Sequence, residues 1–154
     1  MSTTRTQVAF TLAEWFGCGR APRAPGTVGT VGAFPVYLLL RAQGPLSLLG
    51  AALLISIVGI WAATIVEDAS GKTDPQNVVI DEVAGMLVAL AATPPTWPAV
   101  LVAFLAFRLF DWAKPWPARA AERLPGGFGV VLDDIVAGAW VAVLVLALRM
   151  GGVL

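Results

Sequence analysis

From Ala42 to Val66 the chain carries no charged residue, and a second charge-free stretch runs from Val83 to Phe107. Shorter ones span Ala24–Leu40 and Ile135–Leu148. Segments of this kind cannot lie on a watered surface. They must be buried in a protein core or in lipid, where a straight crossing helix needs roughly 20 apolar residues. Leu46–Val66 meets that length. Prolines divide the others. Pro35 is expected to kink the first stretch, whose helix is expected to open near Thr27 or Val28. Pro94, Pro95 and Pro98 forbid one continuous helix in the third. This leaves helices over about Asp81–Ala92 and Ala99–Asp111, and a last one over about Asp133–Arg149. The N-terminal VAFTLAEWFGCG reads as a short interfacial helix.

The segments are rich in Ala and Leu and lack period-two alternation, so they read as helices rather than strands. In lipid only helices or closed barrels satisfy the backbone. The expected fold is all-α: a compact bundle of about five to six short helices, largely membrane-embedded, forming one domain over residues 1–154. Composition agrees. Charged residues make up 13% and apolar residues 58%, against about 25% charge in an ordinary soluble domain. The competing reading is a soluble all-α protein with a large apolar core.

Ten basic residues balance ten acidic ones, so no basic surface is offered to nucleic acid. Histidine is absent and Cys18 is the single cysteine. Imidazole bases, phospho-histidine and an internal disulfide are thereby excluded. The charges are segregated. If the N-terminal piece, the 67–82 segment and the 108–134 segment share one side, that side holds Arg5, Arg20, Arg23, Lys72, Arg108, Lys114, Arg119 and Arg123. The other holds only Arg41 and Arg149. The positive-inside rule then places the three polar segments in the cytoplasm.

Five acids sit at expected helix boundaries against apolar sequence: Asp81 and Glu82 in VVIDEVAG, Asp111 in FRLFDWAKPWP, Asp133 and Asp134 in GVVLDDIVAG. Carboxylates there are costly unless paired, hydrated or bound to a cation. Several converging ones make a hard oxygen site suited to Mg²⁺. Taken singly, Asp81 or Asp133 is equally well read as a helix N-cap. Arg108, Asp111 and Lys114 recur every three residues, which on a helix keeps them roughly on one face. Cations beside carboxylates are what a metal-assisted phosphate site requires. The Gly/Pro-rich loop Gly17–Thr30 places Gly26 and Thr27 before an apolar helix, where backbone N–H groups can face an anion. The arginine spacing after Cys18 does not fit a cysteine phosphatase.

Together GRAPRAPGTVGTVGAFP, VVIDEVAG, FRLFDWAKPWP and GGFGVVLDDIVAG resemble the phosphatidylglycerophosphatase A family, in order from about Gly17 to Gly138. The resemblance implies a Mg²⁺-dependent enzyme of the bacterial inner membrane. It would be multi-pass, with its active site facing the cytoplasm. It would remove the terminal phosphate of phosphatidylglycerophosphate to give phosphatidylglycerol. Carried over by position, the acidic motifs fall on Asp81, Glu82, Asp111, Asp133 and Asp134, the basic positions on Arg108 and Lys114, and a Pro-Gly-Thr loop on Pro25, Gly26 and Thr27. Asp74 matches a recurring acidic position. The expected metal ligands are Asp81, Glu82, Asp133 and Asp134, with Asp111 a further ligand or the general base. Arg108 and Lys114 would bind the phosphoryl oxygens, and Arg20, Arg23 and Arg119 the internal phosphodiester. Attack by water and an aspartyl-phosphate intermediate both remain open. The reading from another class is a small channel or transporter with an acidic cation path.

Overall fold

The two uncharged 25-residue stretches of the sequence form different structures, and proline decides which. The computed structural model describes residues 3–154. Among these it contains eight α-helices and no strand: α1 (Thr3–Ala13), α2 (Pro25–Gly32), α3 (Phe34–Leu40), α4 (Pro45–Ser70), α5 (Ile80–Ala92), α6 (Trp97–Ala113), α7 (Ala118–Ala121) and α8 (Gly127–Met150). The all-α expectation holds, but the expected five to six helices become eight. Pro35 lacks the amide that would continue the ladder, so the first stretch is two helices, α2 and α3, meeting at Ala33. A four-residue turn of helix, α7, forms inside what read as a polar connection.

Two boundaries move in a way that matters for the site. Helix α8 opens at Gly127, not at Asp133. The turn before it ends at Gly126, φ 60, and the Gly127 amide donates to Thr64 Oγ1 of α4 at 2.9 Å. Asp133 and Asp134 therefore lie in the second turn. The residue preceding α5 is Val79, and neither helix has a side-chain cap hydrogen bond. The N-cap alternative for Asp81 and Asp133 is thus removed.

Helix α5 is the centre of the bundle. Nine of its 13 residues are buried, from Ile80 to Leu90, between α4 and α8. It approaches α8 closely because both helices carry glycine at the crossing. A Cβ on Gly138 would strike the Gly85 carbonyl oxygen, and a Cβ on Gly85 would strike the Asp134 carbonyl oxygen and lie 2.8 Å from the Phe107 ring. Small residues at such a crossing let two backbones meet without an intervening layer of side chains. Each glycine stands one turn after an acid, Asp81 before Gly85 and Asp134 before Gly138. The crossing that joins the helices therefore also joins their carboxylates.

Helices α4 and α8 are long and apolar enough to cross a membrane. Their outward faces carry exposed Leu46, Leu53, Leu54, Ile57, Val143 and Leu146. Helices α4 and α6 run toward the acidic end, and α5 and α8 run away from it. Arg41 precedes α4 at the opposite end. Arg149 reaches the Ala92 carbonyl there at 3.4 Å.

Gly138→Ala should lower the melting temperature of the purified protein in detergent, at a cost of about 1–3 kcal/mol from overpacking. Gly50→Ala in α4, where a Cβ meets nothing within 4 Å, should leave it unchanged or slightly raised. Circular-dichroism melts of the two variants check this.

Candidate active site

Three helices and two loop-side segments line one cavity of about 420 Å³. Helix α5 brings Asp81 and Glu82, and the C-terminal end of α6 brings Arg108, Asp111 and Lys114. Helix α8 brings Asp133 and Asp134, and the start of α2 brings Pro25 and Gly26. Asp74 and Gln76 line it from the loop before α5.

The five acids divide into two groups by their partners. Asp81, Glu82 and Asp134 each offer a carboxylate oxygen within 4.8 Å of the others. Asp81 Oδ1, Glu82 Oε2 and Asp134 Oδ2 are buried and accept no hydrogen bond. Three carboxylates this close repel one another, and each unpaired buried oxygen has lost its water. A divalent cation answers both penalties, and an all-oxygen donor set suits a hard ion such as Mg²⁺ or Ca²⁺. The residues present therefore fit a metal.

Asp111 and Asp133 are already engaged. Asp111 Oδ2 lies 2.6 Å from Arg108 Nη1, one turn away on α6. Asp133 Oδ2 lies 2.6 Å from Lys114 Nζ, and its other oxygen accepts the Asp134 amide at 2.9 Å. Lys114 closes α6 in the left-handed conformation at φ 45, which turns the chain away while its ammonium also meets Glu122 at 2.9 Å. Burial opposes the charge on Lys114, but the hydrogen bonds it donates to Asp133 and Glu122 outweigh it and hold its pKa above the usual lysine value. The ammonium is thus retained across neutral pH.

Arg108 is fixed from a second direction. It lies 3.9 Å from Glu82 and donates to Thr30 Oγ1 at 3.3 Å. Thr30 in turn donates to the Gly26 carbonyl at 2.8 Å. Gly26 leaves room for this contact: a Cβ there would displace Glu82 Oε1 and sit 3.2 Å from Arg108 Nη2.

Thr27 does not line the cavity, and its amide is taken by the Ala24 carbonyl at 3.0 Å. Arg23 is exposed at the loop. Arg20 is also outside the cavity, its Nε 2.6 Å from Glu14 Oε2. Arg119 lines a separate pocket beyond Lys114. Sequence reasoning missed Glu14, Asn77, Thr30 and Glu122. Glu14 is buried and also accepts from Asn77 Nδ2 at 3.0 Å, while the Val79 amide donates to the Ala13 carbonyl at 2.9 Å. These contacts tie the loop that carries Asp74 to the end of α1. The partners lie some sixty residues apart in sequence, so no local pattern announces them. Thr30 had a signal, the Gly26/Thr30 spacing of one helical turn.

A helical protein with a buried carboxylate cluster, flanked by a held arginine and a held lysine, has the donor set of a metal-assisted phosphoryl-transfer enzyme. The comparisons give the particular family. The profile of phosphatidylglycerophosphatase A matches residues 11–149. Phosphatidylglycerophosphatase A of Escherichia coli (strain K12) is 37% identical over 130 residues, covering 82% of this chain and 75% of that protein. The protein of the same name from Haemophilus influenzae is 35% identical over 141 residues, covering 90% and 86%. A Bacteroides thetaiotaomicron protein, named as a candidate phosphatidylinositol-3-phosphatase, is 37% identical over 143 residues, covering 87% and 89%. No solved structure matches the chain. The chain belongs to the phosphatidylglycerophosphatase A family, and is thereby a phosphoric monoester hydrolase.

Glu14→Ala should leave Arg20 and Asn77 without their shared partner and loosen the 71–79 loop. Hydrogen exchange at Asn77–Val79 should quicken by about tenfold or more, equivalent to about 1.4 kcal/mol of lost local stability. Glu14→Gln, which keeps one acceptor, should show a smaller change.

Proposed function

We propose that the chain hydrolyses the terminal phosphomonoester of phosphatidylglycerophosphate to phosphatidylglycerol and inorganic phosphate, with Mg²⁺, at the bacterial inner membrane. The observation that carries this reading is the set of three unpaired carboxylate oxygens on Asp81, Glu82 and Asp134, within 4.8 Å of one another and beside Arg108 and Lys114 in one cavity. Family membership favours hydrolysis over the cation-path alternative. Helices α4 and α8 would cross the bilayer. The crowding of basic segments at the acidic end favours a cytoplasmic face for the cavity.

Asp81, Glu82 and Asp134 would hold the metal, which supplies Lewis-acid polarisation of the phosphoryl group when bound. Arg108 and Lys114 bind the phosphoryl oxygens and stabilise the charge that develops on them. Asp111 and Asp133 keep those two cations aimed into the cavity, and Asp111 would take a proton from the attacking water. Water adds to phosphorus as the bond from phosphorus to the headgroup oxygen breaks. That oxygen leaves as the free alcohol, taking up the proton that the attacking water gave to Asp111. Asp81 and Asp134 are themselves buried, which strengthens their attraction for a cation.

Purified protein in detergent should release phosphate from phosphatidylglycerophosphate with Mg²⁺, stop with a chelator and recover when Mg²⁺ is restored. Asp81→Asn, Asp111→Asn and Asp134→Asn should each lower kcat by roughly 100-fold or more, the scale of removing one electrostatic stabiliser. Arg5→Ala, exposed on α1, should do little. Near-normal turnover in all three aspartate variants would sink the shared site. Phosphatidylinositol 3-phosphate belongs in the same assay, and faster turnover of that lipid would move the reading to the inositol headgroup.

Mg²⁺ should also raise the melting temperature of the wild type but not of Asp81→Asn or Asp134→Asn. Without metal, either variant should melt no lower than the wild type, because it removes a charge from a repelling cluster.

A further inference from the structure

Lys114 lines two cavities. One is the acidic cavity. The other, of about 370 Å³, lies on the far side of Lys114, between Pro115–Trp116 and α7, and holds Arg119 and Arg123. The chemistry of the two differs. Lys114 is offset by Asp133 and Glu122, whereas Arg119 and Arg123 have no ion-pair partner among the described residues. The arginines stand four positions apart on the helical turn of α7 and its continuation, so they present to one side. Two unpaired guanidinium groups in one pocket are a site for a phosphate-type anion, which arginine meets with a planar pair of N–H donors.

The surroundings say which anion. Trp116, which lines this pocket, is 79% exposed, as amphipathic rings are at a membrane–water boundary. Beyond Trp116 lies a third pocket, lined only by apolar side chains that include Pro117, Val136, Trp140 and Val143. Trp140 Nε1 holds its edge by donating to the Trp116 carbonyl at 3.2 Å. The order along the molecule is therefore acids, lysine, two arginines, tryptophan, apolar groove. A phospholipid monoester has the same order: terminal phosphate, headgroup, phosphodiester, acyl chain.

We propose that Arg119 and Arg123 form a binding pocket for the internal phosphodiester of the lipid substrate, and so select lipids that carry a diester behind the phosphate to be removed. This rests on the phosphatase reading and adds a subsite to it. Arg123, which no motif singled out, is thereby a specificity residue.

The test uses the full chain in neutral detergent micelles, with folding checked by circular dichroism and gel filtration. Both arginines are exposed, so their replacement leaves the core untouched. Binding of phosphatidylglycerol, which has the diester and lacks the monoester, is read from tryptophan emission. Kinetics with phosphatidylglycerophosphate follow in the same preparations. Arg119→Gln/Arg123→Gln should weaken phosphatidylglycerol binding at least tenfold and raise KM similarly, with kcat within twofold. Arg119→Lys/Arg123→Lys should recover most of the loss. Unchanged binding and KM would overturn the proposal, as would a fall in kcat at constant KM. So would an equal loss of affinity for micelles doped with dodecyl sulfate, which would reduce the arginines to general attraction for an anionic surface. If the wild type binds phosphatidylglycerol through these arginines yet releases no phosphate from phosphatidylglycerophosphate, the diester pocket stands and the hydrolysis reading fails.

Discussion

The crossing of α5 and α8 is the constraint on which the rest depends. Gly85 and Gly138 remove the side chains that would hold the two helices apart, and each glycine follows an aspartate by one turn. Close backbones therefore mean close carboxylates. Asp81, Glu82 and Asp134 are brought within 4.8 Å of one another by packing, against their mutual repulsion. A fold that concentrates like charge in a buried place stores an unfavourable term that a cation can relieve. Apolar packing of α5 between its neighbours supplies the free energy that keeps the cluster together.

Around that centre the remaining charges are arranged in pairs. Arg108 is held by Asp111 and steadied by Thr30, and Lys114 is held by Asp133 and Glu122. In each pair the acid fixes a cation without releasing it to solvent. The zero net charge of the chain thus conceals three zones: unpaired acid in the cavity, paired cations at its wall, and unpaired arginine in the neighbouring pocket. That gradient parallels the chemistry of a phospholipid headgroup, in which a terminal dianion is followed by a diester monoanion and then by hydrocarbon.

Much of this was legible in the sequence because long uncharged segments must be buried. Without period-two alternation they read as helices, and the prolines at 35, 94, 95 and 98 marked breaks. The acidic doublets stood out because charge is scarce elsewhere. The division of labour within them was not legible. Asp133 and Asp134 are neighbours in sequence, yet one binds Lys114 and the other joins the cluster, because adjacent positions on a helix point about 100° apart. The early start of α8 was hidden by glycines that read as a turn. The pairing of Arg20 with Glu14 was equally hidden, a contact set by how α1 returns to the loop and not by any local pattern.

The central claim is that Asp81, Glu82 and Asp134 form one divalent-cation site. Titration with Mn²⁺ followed by electron paramagnetic resonance reads that site directly, without relying on turnover. The wild type should bind Mn²⁺ in a manner that Mg²⁺ reverses, and Glu82→Gln, which changes one oxygen donor and little volume, should lose most of that affinity. Equal Mn²⁺ binding by wild type and variant would contradict the account.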